Sequence, residues 1–421
     1  MIGNKKIKAG ALQFVLFIGA VIAVLLLSFV LVSYSHNVFH KKTDVTIEVI
    51  KAADAGLDYS FTQNMLEATE LDFPSQNDLN IEVKVKKAYW GILEKRTALS
   101  QKGQFKFRKT AFVGPSNPNK PALYLKDNQR PLVVAGNTKI TGNAYLPERG
   151  VKIGNIYGNS YYDSKLIFGK EKQSSTTLPT FNLEFQKQIT ALTADGFEPN
   201  GEEIRLERGL VVKNSFKNPT KIIKGSSLRL DNATLSGNIV VWASNKIVVN
   251  ATSKLTDVIL IAPKIEIAHW TKGCFQALAS QSILVGKGCE LSYPTALVVN
   301  NQQKDSLALQ EVKPNIHIDA YAKVRGMVIY QDKNKTKSYK PHIKINEHAK
   351  VMGEVYCTQN LELKGSIYGS ATTNNFVALE NGNIYQNHLY NGKINNSLLP
   401  AAYGGISYST TSSNQIMKWL Y

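Results

Sequence analysis

Nine basic residues fall between Lys84 and Lys109 against a single acid, Glu94, and Tyr89, Trp90, Phe105 and Phe107 are threaded among them. Cations interleaved with rings are the chemistry of polyanion binding, in which ammonium groups meet phosphates and rings stack on bases. Lys84, Lys86, Lys87, Lys106, Arg108 and Lys109 are the contact candidates, for an anionic polymer or for lipid headgroups near a membrane. The same stretch has a plainer reading. Ile81, Val83 and Val85 alternate with Glu82, Lys84 and Lys86, and residues 104–108 alternate likewise. An antiparallel sheet with that period turns its lysines to water and its aromatics to a core. Only eight of the 50 basic residues are Arg, the side chain of bidentate phosphate and base recognition. Specific nucleic-acid readout is therefore not expected, although a net charge of +18 suits an acidic partner.

Other reactive side chains are dispersed. Asp231, Asp257, Asp305, Asp319 and Asp332 do not recur on one face of any pattern, and Glu202-Glu203 adjoins a loop-like Gly201. Glycoside hydrolysis needs two converging carboxylates, and a pair assembled from distant segments is invisible at this level. No phosphate loop, dinucleotide fingerprint or Gly-x-Ser-x-Gly motif occurs. His36, His40, His269, His317, His342, His348 and His388 make no zinc-type spacing with Cys274, Cys289 or Cys357. No metal or cofactor is expected, and the chain reads as non-enzymatic. Cys274 and Cys289 close two matching Lys-Gly-Cys tripeptides. If these stack in neighbouring coils, a disulfide is open to them in an oxidising compartment; two buried thiols are the alternative.

The elements that carry these residues begin with an uncharged run of 22 residues, Ala11 to Val32, preceded by Lys5, Lys6 and Lys8. At ~1.5 Å rise per residue it covers the ~30 Å hydrocarbon core of a bilayer. Ser33-Tyr34-Ser35 offers no signal-peptidase pattern, so a retained signal anchor is expected. The lysines before the span favour an N-terminus in the cytoplasm and a body outside it. Ile50, Ala53, Leu57, Phe61, Met65 and Ala68 then recur at helical steps up to Pro74. They predict one helix of about 60 residues, half in lipid and half amphipathic.

A basic leader ending in Gly, followed by an apolar helix that turns amphipathic, resembles a type IV pilin or type II secretion pseudopilin. The resemblance implies cleavage after Gly10, a mature start at Ala11, and assembly partners met through the N-terminal helix. Major pilins carry Glu at the fifth mature position, here Val15, so the similarity is to minor tip pseudopilins.

The body repeats. Residues 316–328 return as residues 343–355, 27 positions on, with seven identities: Ile316/Ile343, Ile318/Ile345, Ala322/Ala349, Lys323/Lys350, Val324/Val351, Gly326/Gly353 and Val328/Val355. An apolar-x-Gly-x-apolar echo recurs around Gly142, Gly237 and Gly365, and short β-rich runs follow one another between Asn238 and Val299. Short strands with Gly or Asn corners and no helices between them predict a parallel β-solenoid, a β-helix whose rungs gain stability by stacking. The repeat also resembles the bactofilins, polymer-forming β-helix proteins. A Greek-key β-sandwich is the other reading.

The expected fold is mainly β: a leader and transmembrane helix over 1–35, a helical extension over 36–73, a small basic β subdomain over 75–130, and the solenoid over 131–421 with loops extruded at 302–314 and 331–341. The expected function is that of a non-catalytic, membrane-anchored structural or adhesion-type protein of a bacterial envelope. It is single-pass in the inner membrane with its body periplasmic or extracellular, and a minor pilin-like role is the sharper form. A signal-anchored β-helical polysaccharide-binding module or carbohydrate-active enzyme is the alternative.

Overall fold

The computed structural model describes residues 9–74, 79–116, 119–302, 313–332, 338–409 and 413–420. The leader lysines and most of the two expected loops lie outside the described residues. The chain is mainly β, with a large parallel sheet and one long N-terminal apolar helix. It divides into two compact units: Met1–Ser60, Glu70–Val85 and Ala98–Lys109 form one, and Phe61–Thr69, Lys86–Thr97 and Thr110–Tyr421 form the other.

In the first unit the helix α1 spans Ala9–Phe61 without a break. Its side chains from Leu12 to Val32 are exposed, and it is long and apolar enough to cross a membrane. Ser28, the one hydroxyl inside the apolar run, donates to the Val24 carbonyl at 2.6 Å and so adds no unsatisfied group. Farther along, Val49 and Ala52 are buried in one cluster with Ile81 and Val83 of the strand region, and Ala53 and Leu57 are buried too. Gly56 permits this approach, because a Cβ there would lie 2.5 Å from Val83 Cγ1. The expected stop at Pro74 is 13 residues late. In the second unit the Ala68 amide donates to the Lys87 carbonyl at 3.0 Å and the Lys87 amide to the Thr69 carbonyl at 3.4 Å. Strand pairing therefore claims the backbone groups that a longer helix would need, and the apolar spacing of Met65 and Ala68 is overridden.

The second unit holds the parallel sheet. One column of partners runs Ile223, Val241, Leu260, Ala277, Leu297, Val328, Val355 and Ala371, each beside the next. A second runs Ile247, Ile265, Ile283, Ile316, Ile343 and Leu361. A third runs Leu291, Val324, Val351, Ile367 and Ile394. All are buried in one hydrophobic cluster. The 27-residue repeat is paired in register in both of its strands, Ile316 with Ile343 and Gly326 with Gly353. Six of its seven identities are buried, and the seventh, Lys323/Lys350, faces outward. Gly326, Gly353 and Gly369 sit at φ +141°, +148° and +151°, and a Cβ on any of them would collide with the carbonyl oxygen of its stacked neighbour. Only glycine tolerates both conditions.

The first column is buried on both faces. Val240, Ile259, Leu278, Ala296, Val298, Met327, Ile329 and Tyr356 point into a second cluster, which explains near-continuous apolar runs such as Val258 to Ile261. That cluster is covered in part by a short helix, α2 (Leu183–Leu192), through Phe185 and Ile189. The sequence reading had no helix here. Phe185 and Ile189 are an i, i+4 pair among polar residues, and the Asn182 side chain accepts from the Glu184 amide at 2.9 Å as the cap.

Chain order and spatial order differ. Ala371 pairs with Leu123, Lys393 with Lys139, and His388 with Val133; Leu123 then pairs with Ala144, and Ala144 with Glu171. Residues 123–173 thus stack beyond 366–395, and the chain returns through α2 to the strand Glu202–Glu203. Parallel pairing begins at Leu123, not at 131. The C-terminal strand Asn414–Leu420 leaves the parallel sheet and pairs antiparallel with residues 110–115. Among the described residues of the parallel body the one long antiparallel pairing is the hairpin of Ser366–Glu380 with Asn383–Gln386, which is not Greek-key sandwich pairing.

Candidate functional site

The basic stretch chosen from sequence divides by partner. Lys84, Lys86, Lys106 and Arg108 are exposed. Lys87 is buried, with its ammonium on Glu184, on the Met65 carbonyl at 2.9 Å and 3.6 Å from Glu94. Lys109 is paired with Asp54. The rings are committed elsewhere. Trp90 is buried, donates to the Asp257 carbonyl at 2.9 Å and meets Phe216 edge-on, while Phe105 and Phe107 pack in the cluster of Val49 and Ile81. Tyr89 bonds to Glu184 at 3.3 Å with the Lys87 ammonium 5.7 Å from its ring, so the alternation serves a core and a wet surface. Burial opposes the charged form of Glu184, but hydrogen bonds from Lys87, the Glu67 amide and Tyr89 outweigh it and hold the carboxyl below its ordinary value. Gly10 and Ala11 lie exposed in the first turns of α1.

Cys274, Cys289 and Cys357 are free and buried. The Lys-Gly-Cys tripeptides do not stack: Lys272 pairs with Glu290 and Gly273 with Leu291, so the second tripeptide falls in the turn before the strand that matches the first. Cys289 Sγ lies 3.0 Å from the Ala268 carbonyl and Cys274 Sγ lies 3.7 Å from Asp257. Burial, then the neighbouring Asp257 charge, pushes the Cys274 thiol up to about 12, and burial does the same for Cys357. Such thiols are inert at neutral pH.

The carboxylates stay apart in function. Asp257 accepts from Lys418 at 2.7 and 2.8 Å, Asp231 lies 3.3 Å from Arg229, and Asp319 accepts from the Ala320 amide and from Asn346. Tyr330 donates to Asp332 at 3.3 Å, and Glu202 and Glu203 are exposed in a strand. Asp305 lies outside the described residues. Glu354 and Glu362, both buried, answer lysines: Lys120 for the first, Lys344 at 3.1 Å and Lys364 at 3.8 Å for the second. Among the described residues no three His, Cys, Asp or Glu side chains are grouped to hold a metal ion.

What stacking brings together, and sequence reading missed, is a column of lysines. Lys272 pairs with Glu290, Glu290 with Lys323, Lys323 with Lys350, Lys350 with Ser366, Ser366 with Lys393, and Lys393 with Lys139. From Glu290 onward, each is followed by a buried Leu, Val or Ile, so strand alternation turns the column outward. The turns before it place Trp270, Gly288, Tyr321, His348 and Asn391 at φ between +60° and +68°. Tyr321 and His348 stack with centroids 4.9 Å apart and planes 16° apart, Lys287 sits 5.6 Å from the Tyr321 ring, and the Trp270 indole fills the space that a Cβ on Gly288 would need. Column and turns line a groove of about 770 Å³ that also holds Asn137, Glu347, Lys364 and Tyr368.

Electrostatically the groove is uneven. Hydrogen bonds from Lys323 and Lys272 hold the Glu290 carboxyl below its ordinary value, and Lys364 is engaged by Glu380 at 2.6 Å. Lys350 and Lys393 are exposed, with no carboxylate in ion-pair range among the described residues. A second groove of about 620 Å³ is lined by Asn128, Asn360, Asn374 and Asn375, whose amides already bond to one another or to backbone. That groove also holds Lys126 and Arg130, the latter 3.3 Å from Gln386; the lysine groove differs in ranking its cations along paired strands. No family model, curated protein or solved structure matches this chain.

Proposed function

We propose that this chain is a membrane-anchored, non-catalytic protein of a bacterial envelope, of structural or adhesion type, that carries a β-solenoid body outside the cytoplasm. The observation that carries the reading is α1: its apolar half is exposed along its whole length, while one face near its end is buried, with Val49 and Ala52 against strands of its own unit. A helix of that kind is unfavourable in water and suited to lipid. The three in-register columns, each visited in turn by the chain, support the solenoid as the body's architecture. The buried carboxylates Asp257, Glu354 and Glu362 each answer a lysine, which favours a scaffold over a carbohydrate-active enzyme.

Protease added to spheroplasts tests the topology. Digestion of the body, with a protected fragment ending just beyond Val32, is expected; protection of everything after Lys42 reverses it. A pilin-like subunit is a second reading, favoured by the unbroken passage of α1 from its lipid-suited half to the packed face near its end. Intact mass tests that: a mature start at Ala11 supports it, and a chain retaining Met1 or Ile2 removes it.

A further inference from the structure

We propose that the lysine column is a binding site for an extended acidic polysaccharide, one that carries carboxylates along its chain. The first argument is energetic. Lys323 lies beside Lys350, and Lys393 beside Lys139, in register at the ~4.8 Å spacing of paired strands. Like charges directly opposite one another destabilise a sheet. Glu290 relieves the repulsion between Lys272 and Lys323, which it contacts at 3.2 and 3.0 Å. Asp163 lies 3.9 Å from Lys139, but among the described residues no carboxylate is in ion-pair range of Lys350 or Lys393, and the anion inferred for them is external.

The second argument is shape. The column follows the stacking direction, and the four steps from Lys323 to Lys139 span ~19 Å, which suits a linear polymer rather than a compact anion. Ser366 lies within the column, and Tyr368, Asn137 and Asn391 line the same groove, supplying neutral hydrogen-bonding groups for sugar hydroxyls between the charges. Single-stranded nucleic acid fits less well. Base binding uses successive open aromatic faces, whereas Tyr321 and His348 are stacked on each other, the exposed Trp270 lies apart against Gly288, and the column has no Arg fork for phosphate.

The site deepens the envelope reading, which says where such a polymer is met, but binding is measured independently of topology. Full-length protein in uncharged detergent micelles is titrated into fluorescein-labelled oligogalacturonate long enough to cover the column, with labelled dextran and oligo(dT) of matched length alongside. Oligogalacturonate is expected to bind, more weakly as salt rises, and dextran is not. K350E/K393E should lower the affinity at least about tenfold, while K84E/K86E changes it less than about twofold. K350Q/K393Q, which removes the charges without reversing them, should fall between wild type and K350E/K393E. Equal affinity in wild type and both column variants overturns the proposal, as does dextran binding as tightly as oligogalacturonate. Tighter oligo(dT) binding that the column variants abolish assigns the site to nucleic acid instead. Failure of the spheroplast experiment with binding intact removes the envelope reading alone.

Discussion

Two junctions in the parallel body have the same geometry and very different chain connections. At one, residues 316–328 lie beside 343–355, 27 positions away. At the other, Ala371 lies beside Leu123 and Lys393 beside Lys139, about 250 positions away. Both are parallel, in register and sealed by fully buried residues: Val324 beside Val351 in the first, Ile394 beside Ile140 in the second. Stacked pairing therefore does not depend on chain proximity; it depends on an apolar residue at the right height and an outward residue before it. The local junction has lower loop-closure entropy to overcome, so it should form early, and the distant one should close last.

The largest effect is expected where stacking leaves no room. Gly353→Val at the local junction should cost at least about 3 kcal/mol, from a strained backbone and a clash with the Gly326 carbonyl. Thermal unfolding reads it, and a Tm within a degree of wild type would mean the glycines are not stacked as described. Core truncation compares the junctions directly. Ile345→Ala and Ile394→Ala, both fully buried, should each cost about 2–5 kcal/mol. A cost below about 1 kcal/mol at Ile394 alone would show the distant junction to be loose.

The local junction was legible in the sequence because one strand pair imposes the same buried residues on both partners, and Ile316/Ile343 through Val328/Val355 are the imprint. The distant one was not. Leu123-Tyr124-Leu125 and Ala144-Tyr145-Leu146 meet the burial requirement with three residues each, too few to stand out from chance. The lysine column left one visible mark: Lys323/Lys350 is the only outward identity of the seven, and an outward identity asks for a reason that core packing does not supply. Residues 84–109 carry the more conspicuous charge, yet two of the six candidates there, Lys87 and Lys109, are spent on Glu184 and Asp54. The end of α1 is not legible in the sequence, because the pairing of Ala68 and Thr69 with Lys87 has no local signal.

Ion pairs of long sequence separation extend the comparison at smaller scale. Lys87→Ala should cost about 2–3 kcal/mol by stranding a largely buried Glu184, whereas exposed Lys84→Ala should stay within about 0.5 kcal/mol. Because Glu184 is held below its ordinary 4.5 in the fold, its contribution is complete above that pH and drains as pH falls toward the folded value. Glu184→Gln should flatten this part of the acid limb in a pH series of denaturant melts; an unchanged limb would deny the pairing. The smallest expected effect has the opposite sign. Lys350→Glu, set beside Lys323, should stabilise the body by about 0.5 kcal/mol through relief of like-charge stacking while weakening oligogalacturonate binding. Destabilisation there would mean that the column's charges are already answered within the protein.

The claim on which the column and its ligand both rest is that the stack runs unbroken across the distant junction. Paired cysteines test it in the full chain: Lys393→Cys with Lys139→Cys at the distant junction, and Lys323→Cys with Lys350→Cys at the local one. Strand partners lie ~4.8 Å apart, within the Cα range of a disulfide, and the three native thiols are buried. Mild oxidation followed by non-reducing electrophoresis should give a compact, faster-migrating species for the distant pair, and mass spectrometry should find both engineered pairs linked to similar extents. Linkage at the local pair with none between positions 393 and 139 would contradict the continuous column.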